Sequence, residues 1–337
     1  MSEIIKTNIL SLIENIHQRS IERANKVIEE QTSEITKYGY TRDMIYIKAW
    51  FTAMNFTGHI TKTEILSFIM QHIEGLDPYI DHLMVEQGYK KKLGPHKLAT
   101  IKRRLIALSL TLDKYQVHNP IHDEDIKMLL IKLTKKHGVS KPAGKAITKN
   151  ILDDMLATCN LDKLIDLRDY ALLLFAWGTG GRRRSEIVNA LLQNLVPDIH
   201  GGFTYTLPTS KNDKTGKGHV VPLKGKVASA MHMWLEKSGI NEGNIFRSVP
   251  KGGKIGGKLL GDSIHRIVTK RLKMAGYESY QFCAHSLRSG FVTEAGRRNK
   301  PLGDVMAMTT HRNVSTVMKY YQAGAIIHNS AAYMADE

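Results

Sequence analysis

The chain has 337 residues, which is long for one hydrophobic core and predicts two domains at a size of about 150 residues each. Its 48 lysines and arginines exceed its 32 aspartates and glutamates, so the net charge is +16 with histidine counted neutral. An apolar fraction of 42% excludes a wholly disordered basic tail. The charge therefore lies on folded structure, and it favours nucleic acid as the partner over a merely solubilising surface.

Several classes of protein are disfavoured by what the sequence lacks. Cys159 and Cys283 are too far apart to suggest a disulfide framework or a zinc cluster, and the histidines show no H-E-x-x-H or H-x-H spacing. Glu3, Lys6 and Glu14 interrupt the first apolar segment, unlike a signal peptide, and no run approaches the roughly 18 apolar residues of a membrane span. We expect a soluble, cytoplasmic protein without membrane, metal or cofactor.

Residues 1–137 are predicted to form a helical domain. Met44, Ile47, Phe51 and Met54 recur at helical spacing along one face. This stretch shows no alternation typical of strands. We interpret it as a core DNA-binding domain.

A second amphipathic segment, 95–115, combines an apolar stripe with basic residues outside it. The stripe consists of Leu98, Ile101, Leu105, Leu108 and Leu112, and the basic residues are Lys97, Lys102, Arg103 and Arg104, with Lys90, Lys91 and Lys92 just upstream. The pattern predicts one packed face and one basic face, although such runs are often only solvated. The candidate DNA-contacting residues of this domain are Arg42, Lys48, Lys97, Lys102 and Arg103.

Periodicity is lost at 138–147, where Gly138, Pro142 and Gly144 indicate a linker. The second domain would then span 148–337. Its predicted helices are 148–160, 162–178, 225–238, 261–275, 286–298, 301–310 and 313–321, and its predicted strands are 203–207 and 219–223.

Two short motifs in the second domain pair an arginine with a polar partner one helical turn away. In GTGGRRRSEI, Arg183 and Glu186 are three residues apart, so the carboxylate can orient the guanidinium for a phosphate. In FCAHSLRSG, His285 and Arg288 have the same spacing at a predicted helix start, where backbone donors favour an anion. Each motif alone also fits an ordinary surface pair.

A third motif places His311 nine residues before Tyr320. The chain thus carries, in order, R-x-x-E, a hairpin lysine, H-x-x-R and a histidine followed nine residues later by tyrosine. This set of motifs resembles the tyrosine recombinase (phage-type integrase) family. The motifs cover about residues 150–321, and the basic helical first domain extends the likeness to Cre-type recombinases. The resemblance implies a mainly α fold with a small antiparallel β-sheet, arranged as a two-domain, C-shaped DNA clamp.

The resemblance assigns seven catalytic residues, namely Arg183, Glu186, Lys211, His285, Arg288, His311 and Tyr320. Arg183 and Arg288 would bind the scissile phosphate, with Glu186 supporting Arg183. Tyr320 would be the nucleophile, because Tyr321 is turned about 100° away on a helix.

The remaining roles belong to two histidines and a lysine. His285 would accept a proton, and His311 would hydrogen-bond a phosphate oxygen or support the tyrosine. Lys211 fits the position of the hairpin lysine that protonates the leaving group, while Lys214 fits relatives with shorter hairpins and Lys217 is a further candidate.

Two positions depart from the family pattern. Thr310 stands where many relatives have glycine before the histidine, and Gly181 stands where relatives often carry a large apolar residue. Neither departure removes a catalytic group, so both concern only the local loop geometry.

The function implied is site-specific DNA recombination through a 3′-phosphotyrosyl intermediate, without metal or ATP. The partners implied are duplex DNA with a specific recombination site and a homotetramer on paired sites, with residues from about 323 to 337 docking on a neighbouring protomer. A prokaryotic, phage or plasmid context follows from the same likeness. Two alternatives remain, a type IB topoisomerase-like enzyme that relaxes DNA and a non-catalytic DNA-binding regulator.

Overall fold

The computed structural model describes residues 32–137, 144–208, 218–250, 252–283 and 285–326, with a few single positions between 20 and 30. The chain divides into two compact units, Met1–Lys141 and Pro142–Glu337. The division falls inside the segment 138–147 that loses helical periodicity.

The described part of the first unit is helical, with no strand among its residues. Its helices are α1 (Glu34–Ala53), α2 (Lys62–Glu74), α3 (Pro78–Glu86), α4 (Leu98–Lys114) and α5 (Glu124–His137). Ser33, Thr61 and Asp77 precede the first three helices, and each side-chain oxygen accepts a backbone N–H of the first turn. These caps fix where the helices begin.

The predicted apolar stripe of α4 is confirmed, because all five of its residues are buried. On α1, Ile47 is buried and Met44 and Phe51 pack partly against the same core, but Met54 is exposed at the end of the helix. Trp50 of α1 fills the centre of this core. The hydrophobic spacing therefore identified the packed faces, with an error only at a helix terminus.

The prediction that the basic residues of α4 all lie outside the packed face is wrong for Arg104, which is 7% exposed. Its guanidinium carbon lies 3.1 Å from the centre of the Tyr46 ring, and its Nε lies 3.7 Å from the carboxylate of buried Asp43. Lys90 is also buried and forms an ion pair with Asp81. Paired charges of this kind can be buried, because each partner offsets the desolvation of the other.

The second unit combines helices with a small sheet. Its helices are α6 (Lys149–Ala157), α7 (Leu164–Gly178), α8 (Arg184–Val188), α9 (Lys226–Ser238), α10 (Gly261–Met274), α11 (Ser286–Arg297), α12 (Leu302–Thr309) and α13 (Val314–Ala325), and its strands are β1 (Leu195–Pro197), β2 (Phe203–Leu207) and β3 (His219–Leu223). Each predicted helix is present within a few residues of its expected ends.

The strands form an antiparallel sheet in the order β1-β2-β3. Strands β2 and β3 match their predicted ranges, and the alternate residues Phe203, Tyr205 and Leu207 of β2 are buried. The sequence did not indicate β1, because three residues are too few to show alternation. The turn between β2 and β3 lies largely outside the described residues.

Helix α7 lies at the centre of the second unit. Its Phe175 contacts Tyr205 of β2 and Phe246 edge-on, with ring centres 5.1 and 5.4 Å apart. The end of α7 at Gly178 is thereby held in the core, and the turn that follows carries the R-x-x-E motif.

Helices α11 and α13 approach closely at glycines. A Cβ on Gly324 would lie 1.9 Å from the carbonyl oxygen of Thr293, and one on Gly296 would lie 2.2 Å from that of Tyr321. The hydroxyl of Thr293 also donates to the carbonyl of Tyr320 at 3.3 Å. This contact brings the helix that follows His285 against the helix that carries the two tyrosines.

Candidate active site

The turn between α7 and α8 depends on two glycines. Gly180 and Gly181 have φ of +94° and +72°, a region that residues with a Cβ rarely adopt. A Cβ on Gly181 would lie 2.1 Å from the Cα of Arg288, whose Nη1 donates to the Gly181 carbonyl at 3.3 Å. The departure at Gly181 therefore has a structural reason, since the R-x-x-E turn and α11 touch backbone to backbone.

Arg183 and Glu186 are paired as their spacing predicts. Arg183 is the residue before α8, and its backbone N–H donates to Glu186 Oε2 at 3.0 Å. Its Nη1 donates to Oε1 at 2.9 Å, although the side chain is 60% exposed. A guanidinium has five N–H donors, so this pairing leaves others for a ligand.

The preceding arginine is placed quite differently. Arg182 has a side chain only 1% exposed, and its Nη2 donates to the carbonyl of Met308. In the motif GTGGRRRSEI it is directly followed by Arg183 and Arg184. Three consecutive arginines carry no pattern that shows which one is buried.

His285 and Arg288 lie at the start of α11, where the sequence places them. Arg288 is 3% exposed, and its Nε donates to His311 Nε2 at 3.2 Å while its Nη2 donates to the carbonyl of Thr309. His285 is the residue before the helix, and its ring centre lies 5.9 Å from that of Tyr320. The H-x-x-R motif thus contacts both residues of the third motif.

His311 follows the end of α12 and is fixed from both sides. Because arginine can only donate, His311 Nε2 accepts from Arg288, so its Nδ1 carries the hydrogen and donates to Thr309 Oγ1 at 2.7 Å. The backbone reaches this position through Thr310, which has φ of +56°. The glycine common in relatives would adopt this conformation without strain.

The two tyrosines of α13 differ in what binds their hydroxyl groups. Tyr321 donates to the carbonyl of Lys300 at 2.7 Å. Both tyrosines are half-buried and pack against the cluster that contains Val292 and Val317, but Tyr320 lies next to His285. The geometry thus separates a tyrosine whose hydroxyl is bound to a backbone carbonyl from one whose ring lies beside His285.

The site is dominated by positive charge. Desolvation, followed by the charges of Arg182 and Arg183, lowers the pKa of Arg288 to about 10. Desolvation and then Arg288 lower the pKa of His311 to about 4, and the same two causes with Arg183 lower the pKa of His285. Both histidines are therefore neutral at pH 7, and the surrounding cations are suited to an anionic ligand.

The hairpin lysines cannot be placed beside this cluster. Lys211, Lys214 and Lys217 lie outside the described residues, as does the greater part of the predicted C-terminal tail. Six of the seven predicted catalytic residues are described, and contacts or shared charge effects connect them in one site.

The candidate DNA-contacting residues of the first unit are only partly brought together. Arg42 and Arg103 line one surface cavity of about 790 Å³, together with Lys91 and Lys92. Arg103 also binds the carboxylate of Asp43 through Nε and Nη2 at 2.7 and 2.6 Å.

The other three lie outside the lining of that cavity. Lys48 and Lys97 are exposed. Lys102 donates to the hydroxyl of Thr134.

Among the residues that the structure describes, no helix is long and apolar enough to cross a bilayer. No group of three or more His, Cys, Asp or Glu side chains is arranged to hold a metal ion in the same part of the chain.

Comparison with known proteins agrees with this geometry. Residues 145–325 match the phage integrase family. An integrase/recombinase XerD homolog of Selenomonas ruminantium is 27% identical over 245 residues, covering 70% of this chain and 71% of the relative. The tyrosine recombinase XerC of Pseudomonas putida is 29% identical over 208 residues, covering 58% of this chain and 64% of the relative.

Solved structures resemble the chain at low identity. The Tn1549 transposon integrase, in complex with a circular intermediate DNA, has a TM-score of 0.58 at 14% identity and covers 94% of this chain and 98% of its own. XerH site-specific recombinase, bound to its difH substrate, has a TM-score of 0.52 at 20% identity, covering 84% and 72%. At these identities the likeness concerns the fold. With the family match, it places the chain in the phage integrase family, as a DNA recombinase of the tyrosine type.

Proposed function

We propose that the chain cleaves and rejoins duplex DNA at a specific site through a covalent bond between Tyr320 and a 3′-phosphate. The Tyr320 oxygen attacks phosphorus, a new P–O bond forms, and the bond to the 5′-oxygen breaks. The phenol loses a proton and the leaving 5′-oxygen gains one. Reversal of these steps with a new 5′-hydroxyl would complete the strand exchange.

The contrast between the two tyrosines carries this proposal. Tyr321 is occupied by the carbonyl of Lys300, whereas Tyr320 lies 5.9 Å, ring to ring, from His285. Of the two, Tyr320 is the one whose hydroxyl lacks that anchor and whose ring lies beside a base, His285.

Arg183 and Arg288 are proposed to bind the non-bridging oxygens of the scissile phosphate. Guanidinium groups placed where negative charge develops stabilise such a transition state. Arg183 supplies an exposed guanidinium oriented by Glu186. Arg288 uses one N–H each on His311, Gly181 and Thr309, which leaves two of its five for the phosphate.

The proton movements are proposed to use His285 and Lys211. The lowered pKa of His285, caused by desolvation and then by Arg288 and Arg183, keeps its imidazole neutral and able to accept the phenolic proton. Lys211 would protonate the 5′-oxygen, which is a poor leaving group as an alkoxide. His311 is neutral, with its Nδ1–H on Thr309 and its Nε2 accepting from Arg288. It would therefore hydrogen-bond the phosphate or support Tyr320 only after it gives up one of these two contacts.

Neither metal nor ATP is proposed to take part. The arginines supply the positive charge, and the phosphotyrosyl bond retains the bond energy of the phosphodiester for rejoining. Cleavage in excess EDTA should match cleavage in magnesium. A loss of cleavage in EDTA that magnesium restores would contradict the proposal.

The first unit is proposed to bind the duplex beside the cleavage point through the cavity that contains Arg42. Recombination between two sites is proposed to use four protomers. XerH and the Tn1549 integrase are themselves described in complex with DNA substrates, which supports duplex DNA as the partner.

Covalent capture tests the nucleophile. The unaltered chain is mixed with fragments of its source DNA, denatured, and the attached DNA is sequenced, which also identifies the site. Tyr320→Phe should abolish attachment and leave site binding within about twofold, because only one oxygen is removed. Tyr321→Phe is the matched control and should still attach, and the opposite result would show that the nucleophile is misassigned.

A sulfur substitution tests the leaving-group role of Lys211. Sulfur at the 5′-bridging position makes a leaving thiolate that departs without a proton. Lys211→Ala should be strongly impaired on ordinary DNA and largely rescued on the sulfur substrate, whereas Arg183→Ala should gain no comparable rescue. Rescue of Lys214→Ala instead would assign the general acid to Lys214.

A further inference from the structure

Arg182 is a buried cation in the proposed active site to which the mechanism above gives no role. Its side chain is 1% exposed. Burial of a guanidinium costs several kcal/mol unless other groups bind its donors. Its contacts therefore indicate what it does in this position.

One end of the side chain holds the segment that leads to His311. Arg182 Nη2 donates to the carbonyl of Met308, and Arg288 Nη2 donates to the next carbonyl, that of Thr309. The two arginines thus bind successive carbonyls at the end of α12. Since Thr309 Oγ1 also accepts from His311 Nδ1, this end of the helix positions the imidazole.

A second donor of the side chain, the Nε–H of Arg182, has no hydrogen-bond partner. Arg182 Nε is buried and unpaired, and it lies 3.9 Å from Oε2 of Glu186, too far for a hydrogen bond. The same carboxylate binds Arg183 at 2.9 Å. A shift of Glu186 by about 1 Å would give the buried N–H an acceptor at ordinary hydrogen-bond length.

We infer that Arg182 is a positioning residue that binds Glu186 when Arg183 turns to the phosphate, and that fixes the end of α12 so that His311 keeps its place. This inference rests on the proposed phosphotyrosyl mechanism. Glu186 still orients Arg183, but as donors of this 60% exposed guanidinium turn to the phosphate, the 26% exposed carboxylate loses part of its close cation. Arg182 supplies that cation from the buried side.

The charge of Arg182 also acts on its neighbours. After desolvation it is the largest cause of the lowered pKa of Arg288. It is also the smallest of five causes that lower the pKa of His311, after desolvation and the charges of Arg288, His285 and Arg183. Removal of this charge should raise the pKa of His311. A change in the pH dependence of cleavage would therefore separate this role from simple packing.

The test uses single-turnover cleavage of the captured duplex site at saturating DNA, with affinity measured separately. Arg182→Met should slow cleavage about 100-fold, a loss typical of removing one interaction at a charged transition state, with the DNA Kd within about twofold. Arg182→Lys, which keeps the charge, should recover about tenfold of that loss. The acidic limb of the rate profile should move to higher pH in the methionine variant only.

Arg184→Met is the matched control, because it removes one charge from the same turn. Arg184 pairs with Asp262 of α10 at 3.3 Å, and at saturating DNA its variant should cleave at the unaltered rate. A second control adds Glu186→Gln to Arg182→Met. Because Arg182 acts partly through Glu186 and partly through the end of α12, the double variant should lose less than the two single losses combined.

Two results would overturn the inference: an unaltered rate and pH profile for Arg182→Met, or losses for Arg182 and Glu186 that simply add. If melting shows that the methionine variant is unfolded, Arg182→Gln, which keeps an amide donor without charge, replaces it under the same criteria. No covalent complex with the unaltered chain would refute the proposed function and the inference together. Normal capture with unaffected Arg182 variants would refute the inference alone.

Discussion

Thr310 has a β-branched side chain but lies in a left-handed backbone conformation that such side chains disfavour. A β-branched residue at φ of +56° costs about 1–2 kcal/mol, and glycine removes that cost at some expense in chain entropy. Thr310→Gly should therefore raise the free energy of unfolding of the second unit by about 1 kcal/mol, measured by urea titration.

Thr310→Ala is the control for this change, because it removes the same side chain and keeps the strained Cβ. It should give no comparable gain. Equal stability of the alanine and glycine variants would show that the conformation stores no strain.

At the same scale, the sequence predicted which residues lie together in the candidate site better than it predicted what surrounds them. Fixed spacing identified Arg183 with Glu186 and His285 with Arg288, because one helical turn brings each pair onto one face. It could not show that Arg182 and Arg104 are buried. Their burial depends on partners distant in sequence, the carbonyl of Met308 that accepts from Arg182 and the carboxylate of Asp43 that forms an ion pair with Arg104.

At the scale of elements, the contact between α11 and α13 should be intolerant of added volume. A Cβ on Gly324 would lie 1.9 Å from the Thr293 oxygen, so the helices must separate. Gly324→Ala should cost at least about 1–3 kcal/mol of stability and reduce covalent capture, since α13 carries Tyr320. Urea titration and capture of the same samples measure both effects.

Gly303 offers a matched control inside α12, where an added Cβ has nothing within 4 Å. Gly303→Ala should stabilise the helix by up to about 1 kcal/mol, because alanine loses less chain entropy. Similar losses from the two substitutions would contradict the close packing of α11 and α13.

The element boundaries were predictable where long amphipathic or apolar runs existed. Helix α7 and strand β2 match because burial imposes one period on many consecutive residues. Strand β1 was not predictable, since Leu195–Pro197 pairs with β2 over three residues and its position depends on that pairing. The long helices and strands could therefore be predicted from the local sequence, whereas the position of β1 depends on tertiary contacts.

At the scale of the whole molecule, acid should destabilise the fold through buried neutral histidines. Desolvation is the largest cause that lowers the pKa of His72 to about 3 and of His96 and His311 to about 4. Unfolded histidine takes up protons near pH 6.5, so the unfolded chain binds more protons and the free energy of unfolding falls as pH drops below that value. Each group contributes a slope of about 1.4 kcal/mol per pH unit.

His96→Gln separates one of these contributions. It removes one titrating group and should lower the slope by about one proton between pH 6.5 and 5, followed by urea titration at each pH. An unchanged slope would mean that His96 is protonated in the folded state.

The net charge of +16 should make the affinity for DNA depend strongly on salt, because each phosphate contact releases counterions from the DNA. If the cavity of the first unit binds phosphate, Lys92→Gln should weaken binding and reduce the slope of log K against log salt by about 0.9. Lys127→Gln on α5 is the control, since Lys127 loses the same charge outside that cavity and is paired with Glu124 at 2.8 Å. Equal effects would attribute binding to overall charge rather than to the cavity. Charge reversal at Arg103 is not a clean alternative, because it would place a carboxylate against buried Asp43 and unfold the unit before testing DNA contact.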